Sequence, residues 1–79
     1  MKIEILGTGC PKCRSTEKIV RQVVEELGIT ADIQKIEELG DIIDRGVMLT
    51  PAIAIDGEVK LVGRVPRPDE LKKLFEETR

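Results

Sequence analysis

The sequence predicts an α/β domain whose elements run strand, helix, strand, helix, strand, strand, helix. Three observations carry that order. Apolar residues switch repeatedly between strand-like runs and helical spacing along the chain. Asp56-Gly57, the two-residue turn that most strongly signals a hairpin, separates the runs Ala52 to Ile55 and Glu58 to Val62. Both cysteines fall in Gly7-Thr8-Gly9-Cys10-Pro11-Lys12-Cys13, where a strand pattern ends and a helix pattern begins. At 79 residues the chain is expected to form one domain, residues 1–79, near the lower size at which a single core suffices without staples or metal.

Ile3, Glu4, Ile5 and Leu6 read as a short buried strand. Two glycines then let the chain turn, and Pro11 suits a first helical position, where a missing N–H costs nothing. The first helix is expected from Pro11 to about Leu27, with Ile19, Val20, Val23, Val24 and Leu27 as its sheet-facing stripe and Gly28 as its stop. Its charges run against its own dipole, with Lys12 and Arg14 in the first turn and Glu25 and Glu26 in the last. Either pairs such as Glu17 with Arg21 and Arg21 with Glu25 offset this on a solvated face, or Lys12 and Arg14 serve the cysteines or their partner. Ala31 to Ile36 reads as a second strand anchored by Ile33 and Ile36, and a β-α-β connection of this length makes it parallel to the first. Glu37 to Arg45 carries Leu39, Ile42 and Ile43 at helical spacing and ends at Gly46. Val47, Met48 and Leu49 lead into Thr50-Pro51, where the residue before proline is held extended. After the hairpin, Gly63 ends the sheet and Arg64 to Arg67 forms a short loop. Pro68, Asp69 and Glu70 then open a last helix, marked by Leu71, Leu74 and Phe75, that runs to the C-terminus.

The chemistry of the chain concentrates in the cysteine stretch. Cys10 is placed at a helix N-terminus, where unpaired N–H groups and the helix dipole favour a thiolate over a thiol. Cys13 lies about one turn further along the same face. Two thiols so placed can close a disulfide and reopen it by exchange, the outer one attacking and the inner one resolving. Lys12, between them, is expected to favour the Cys10 thiolate in the same direction as the dipole and by less, since its ammonium points into water. Other readings fit worse. A bridge closing so short a loop would be a poor structural staple. A structural zinc site wants four ligands, and two Cys without His supply half of one. Two inert buried thiols would not suit an intervening Pro and Lys.

Composition narrows the remaining classes. Hydrophobic content of 41% beside charged content of 35% suits a water-soluble globular chain, and no apolar run approaches the ~20 residues of a membrane span. A net charge of -2 offers no field for nucleic acid, and one Phe without Trp or Tyr offers no stacking platform. Met1 and Lys2 lead straight into a strand with no targeting peptide in view, so the expected compartment is the cytoplasm, where thiols stay reduced.

Element order also separates two families that carry Cys-x-x-Cys after a first strand. Small copper chaperones run β-α-β-β-α-β, end in a strand and have a Met just before the first Cys. A soft-metal (copper or zinc) carrier using the same two cysteines is therefore the alternative reading rather than the leading one. With its order, the Cys10-Pro11-Lys12-Cys13 motif and Thr50-Pro51 opening the third strand, the chain resembles the thioredoxin and glutaredoxin superfamily over almost its whole length. It is most similar to the small single-domain thioredoxin-like proteins of archaea and some bacteria, on the run Gly7 to Cys13, the Thr-Pro, the Asp-Gly hairpin and Gly63-Arg64-Val65. The resemblance implies a minimal thioredoxin fold, with a four-stranded mixed sheet of order 2-1-3-4 and helices on both faces. It implies a thiol-disulfide oxidoreductase with Cys10 as nucleophile and Cys13 as resolving thiol. Pro51 would be a cis-proline against the disulfide, the Thr50 backbone would pair with the substrate chain, and Pro11 and Lys12 would complete the substrate-binding surface. No cofactor beyond the Cys10–Cys13 disulfide is implied. The partners implied are disulfide-containing proteins and a thioredoxin-reductase-like electron donor, with the chain itself a monomer. Two departures stand out. Gly9 replaces the Trp that thioredoxins carry before the first Cys. The paired Gly and Asp residues of the glutaredoxin glutathione signature are mostly missing around Gly63 to Asp69, which makes glutathione a doubtful partner. Glu4 stands six residues before Cys10, the offset of the buried Asp that helps thioredoxins move a proton, or else it is simply a charge near a strand end.

Overall fold

A computed structural model describes residues 1–78. The elements are β1 (Lys2–Leu6), α1 (Pro11–Leu27), β2 (Asp32–Ile36), α2 (Leu39–Asp44), β3 (Ala52–Ile55), β4 (Glu58–Val62) and α3 (Pro68–Thr78). They form one four-stranded sheet of order β2-β1-β3-β4, the order that the resemblance implied. β1 pairs parallel with β2 through the α1 crossover and antiparallel with β3, which pairs antiparallel with β4. β1 is therefore central, and its last residue leads directly into the cysteine stretch. The expected end of the last helix at Arg79 lies outside the described residues.

Alternation along β1 divides the core. Ile3 and Ile5 point to one face, where they pack with Val20 and Val23 of α1, Leu71 and Phe75 of α3, and Ile53, Ile55 and Leu61. Leu6 points to the other, where it packs with Ile42 of α2, Val47, Ala52 and Ala54. Helices thus cover both faces, two on one and a single short one on the other. α1 ends in the left-handed Gly28, whose N–H and that of Ile29 close the last turn onto the Glu25 and Val24 carbonyls. Glu26, at the unfavourable end of the α1 dipole, has a partner on the neighbouring helix, with Lys72 Nζ 2.9 Å from its carboxylate. In the hairpin both Asp56 and Gly57 have positive φ, 51° and 88°, which suits the right-handed twist of the flanking strands. The Asp56 side chain also accepts from the Lys2 N–H at 2.8 Å, and this extends β1 one residue beyond the expected Ile3.

The second helix is where sequence spacing and structure differ most. It begins at Leu39 rather than Glu37, because Glu38 is extended with ψ 126° and caps the helix without a side-chain hydrogen bond. A helix of six residues has less than two turns, so it can aim little at the sheet. Ile42 alone is fully buried, while Leu39 and Ile43, one turn apart on another face, remain 62% and 55% exposed. Its C-terminal neighbour Arg45 matters more to the fold. Arg45 reaches over the sheet to Glu4 of β1, giving two hydrogen bonds of 2.8 and 2.6 Å to the two carboxylate oxygens.

Candidate functional site

Cys10 is the N-cap of α1, with extended backbone (φ -67°, ψ 164°), and its carbonyl accepts the first helical bond from the Arg14 N–H at 3.0 Å. Pro11 takes the first helical position and is exposed, as is Lys12. Cys13, inside the first turn, points inward and is 6% exposed. Its Sγ lies 2.7 Å from that of Cys10, both thiols being free. The two sulfurs are in opposite electrostatic situations. The Cys10 thiol is pulled below the usual thiol range, first by the hydrogen bond from Cys13 and then by backbone N–H groups of Cys13 and Lys12. Cys13 is pushed up, chiefly by burial and then by that same bond to Cys10. Of the two sulfurs, Cys10 thus becomes a thiolate more readily and Cys13 holds its proton longer. The neighbouring thiol is the first cause, and the backbone N–H groups of Cys13, Lys12 and Cys10 at the start of α1 add to it.

Gly7 was expected only to help the chain turn, but it has a stricter role. It is buried at the end of β1, donates its N–H to the Ile36 carbonyl at 2.9 Å, and faces α1. A Cβ built on it would stand 2.3 Å from Cys13 Sγ and 3.9 Å from the Thr50 Cβ. The position therefore admits no side chain while the Cys13 sulfur faces Cys10. The alternation of Ile3, Ile5 and Gly7 puts position 7 on the helix-facing side, which is the one sequence signal for this. Gly7→Ala should destabilise the domain by about 1–2 kcal/mol, the cost of an added methyl in a packed site, by forcing the Cys13 sulfur out of its rotamer. Chemical denaturation, with alkylation of Cys13 followed in parallel, checks this. Unchanged stability together with unchanged Cys13 reactivity would contradict it.

Thr50 and Pro51 come to the same place from the start of β3, the strand paired with β1. Thr50 is half-buried beside Gly7, Pro51 is buried, and the peptide bond between them is cis. The Pro51 carbonyl accepts from the Gly63 N–H at 2.9 Å, which ties this loop to the end of β4. Immediately before it, Met48 and Leu49 are 84% and 64% exposed and form an apolar rim. On the α1 side, a cleft of about 150 Å³ opens beside Gly7 and Cys13 and is bordered by Glu17, Lys35 and Glu37.

Glu4, six residues before Cys10, is buried at 2% exposure. It lies with Leu6 on the α2 side of the sheet, opposite Gly7 and Cys13. The hydrogen bonds from Arg45 hold its carboxyl below the usual carboxylate range, against the upward push of burial. A carboxylate held ionised in this way cannot offer a proton near neutral pH. Its partner stands 41 residues away, and no local pattern announces it. Of the predicted pairs on the α1 surface, Glu17 and Arg21 form one at 3.0 Å, while Lys35 of β2 also approaches Glu17 at 3.6 Å. Among the described residues no cluster of three or more His, Cys, Asp or Glu that could hold a metal ion is present. Nor is any helix there long and apolar enough to cross a membrane.

The chain matches a protein family described as "Thioredoxin domain" over residues 1–76. It is 47% identical to a protein of Methanothermobacter thermautotrophicus named thioredoxin, over 95% of this chain and 97% of that protein. A thioredoxin of Methanocaldococcus jannaschii is 42% identical over 90% of this chain and 81% of its own length. A probable thioredoxin of Methanothermobacter marburgensis is 35% identical over 98% and 95%.

Proposed function

Because the chain belongs to the thioredoxin family, we propose that its thiol-disulfide exchange runs through Cys10 as the attacking thiol and Cys13 as the resolving one. The protein is a disulfide oxidoreductase. The observation that carries the assignment of roles is the asymmetry of the pair, a half-buried sulfur at a helix N-terminus beside a buried one at 2.7 Å. The Cys10 thiolate attacks one sulfur of a substrate disulfide, whose S–S bond breaks and releases a thiolate. Cys13 then loses its proton and attacks Cys10 Sγ, closing the Cys10–Cys13 disulfide and expelling the second substrate thiol. Two electrons pass to the substrate, and a dithiol donor, a thioredoxin-reductase-like protein, returns them.

The substrates are proteins carrying disulfides. The exposed apolar rim of Met48 and Leu49 next to Thr50 supports this, since it suits an apolar peptide. Thr50 offers its backbone to that peptide, Pro51 packs against the disulfide, and Pro11 and Lys12 flank the approach. The chain works as a monomer in the cytoplasm, where a reductant of this kind meets its donor. The reduced protein, mixed with an excess of a disulfide-bonded protein, should release two substrate thiols for each chain and lose its own two, with limiting iodoacetamide labelling Cys10 before Cys13. Titration with Cu(I) against a competing chelator separates the carrier reading. Tight one-to-one metal binding without thiol release would reverse the assignment.

A further inference from the structure

Resolution requires the buried Cys13 thiol to give up its proton, and the acid six residues before Cys10 is poorly placed to take it. Both oxygens of Glu4 are held by Arg45, on the other face of the sheet. The accessible route lies on the α1 side. The cleft beside Cys13 is bordered by Gly7 and Gly9, whose lack of side chains keeps it open, and by Glu17, Lys35 and Glu37. Its volume of about 150 Å³ is well above the ~15 Å³ that one water needs. Glu17 follows Cys13 by one helical turn, so the two side chains share a face of α1. Its side chain is 23% exposed and its carboxylate is held from two sides, by Arg21 Nε at 3.0 Å on one oxygen and by Lys35 Nζ at 3.6 Å on the other. Those contacts leave acceptor positions free, since a carboxylate has about four. Lys35 is also drawn to Glu37 at 3.4 Å, and Arg14 is the remaining charge on the cleft wall.

We propose that the proton of Cys13 leaves through this cleft, passed by water to the carboxylate of Glu17, as Cys13 attacks the mixed disulfide. The proposal deepens the reading of Cys13 as the resolving thiol and rests on it. In the step, the Cys13 S–H bond breaks and its proton moves through water towards Glu17. The Cys13–Cys10 S–S bond forms as the Cys10–substrate S–S bond breaks, and the electron pair of that bond leaves with the substrate sulfur. Glu17 returns the proton to solvent through the open mouth of the cleft. Because a carboxylate is a weaker base than a thiolate, it serves as a relay that assists removal while the S–S bond forms.

A coloured aromatic disulfide, 5,5′-dithiobis(2-nitrobenzoate), reads both steps in one experiment. The first burst of coloured thiolate reports attack by Cys10, and the second reports resolution by Cys13. In Glu17→Gln the second phase should slow by about tenfold near pH 6.5, less than the ~10²-fold of a directly bonded base because water intervenes. The gap should close towards high pH, where hydroxide takes the proton, and added imidazole should restore the rate. Glu17→Asp should recover part of it. Arg21→Gln, which breaks the same ion pair but keeps the carboxylate, should follow the parent profile. A second phase in Glu17→Gln that overlays the parent at every pH would overturn the proposal, as would an equal slowing at all pH values shared by Arg21→Gln. The first phase, and the loss of the second in Cys13→Ser, test the roles of the two thiols apart from Glu17.

Discussion

Cys10→Ser should abolish disulfide reduction, whereas Cys13→Ser should keep the first attack and accumulate as a mixed disulfide with substrate. The difference follows from position rather than from residue type. Cys10 is the more exposed of the two sulfurs, and it is held below the ordinary thiol range by the Cys13 thiol and by backbone N–H groups. Removing it leaves Cys13, 6% exposed and pushed up by burial, as the only thiol. A buried thiol with a raised pKa is both mostly protonated and poorly approached, so its attack should fall to background. Removing Cys13 takes away the resolving step but also the hydrogen bond that contributes most to lowering Cys10. The trapped species should therefore form more slowly at pH 7 than the parent's first step, with a later onset on a pH scale. Mass spectrometry after mixing with an excess of disulfide substrate separates the two variants. Equal trapping by both would mean that the two sulfurs are interchangeable, contrary to their geometry.

Arg45→Met should lower the melting temperature at pH 7 by on the order of 15 °C, a large effect for a residue at the edge of a short helix. Its side chain is 37% exposed, but the carboxylate it holds is 2% exposed, so the variant leaves a charge in the core with no partner. The pH dependence should identify the cause. In the parent, the Glu4 carboxyl is held below its unfolded value, so the stability from this pair is fully present above the unfolded pKa of about 4.3 and is lost as the pH falls through the lower folded value. In Arg45→Met the main lowering influence is gone, and burial then works against only the weaker pull of Lys2, so the folded pKa rises. The penalty is then largest at neutral pH and disappears as the carboxyl takes up a proton. The gap between the two melting curves should narrow as the pH falls and close only once it passes below the parent's lowered folded value. Melting temperatures from pH 7 to pH 3 measure this, and a constant gap across that range would show that Arg45 acts by packing alone.

Most of the architecture was legible because it rests on local rules. The change of apolar spacing at Leu6 and Pro11, the Asp56-Gly57 turn and the prolines at helix starts are each written within a few residues, and they yielded all seven elements in order. The cysteine pair was legible for the same reason, since a spacing of three at a helix start places two thiols on one turn. The short second helix was read less well. Leu39, Ile42 and Ile43 satisfy helical spacing, yet spacing cannot say how much of a helix the sheet will cover, and only Ile42 is covered. The pull on the Cys10 thiol from its neighbour Cys13 depends on the rotamers that bring the two sulfurs to 2.7 Å, which the spacing of charges at the start of α1 does not announce.

By itself, then, the sequence determined the order of elements, the site of the thiol chemistry and which sulfur comes first in the chain. Those depend on contacts between residues one or two turns apart. The tertiary structure alone decided that Gly7 is excluded from carrying a side chain by Cys13, that Glu4 answers to Arg45, and that Lys35 and Glu37 border a cleft over the face of α1 that carries Cys13 and Glu17. Each of these joins groups brought together by the sheet or by packing across it. A strand pattern states which face a residue takes but not what lies opposite on that face. What lies opposite holds the Glu4 carboxyl below its usual range and buries Cys13.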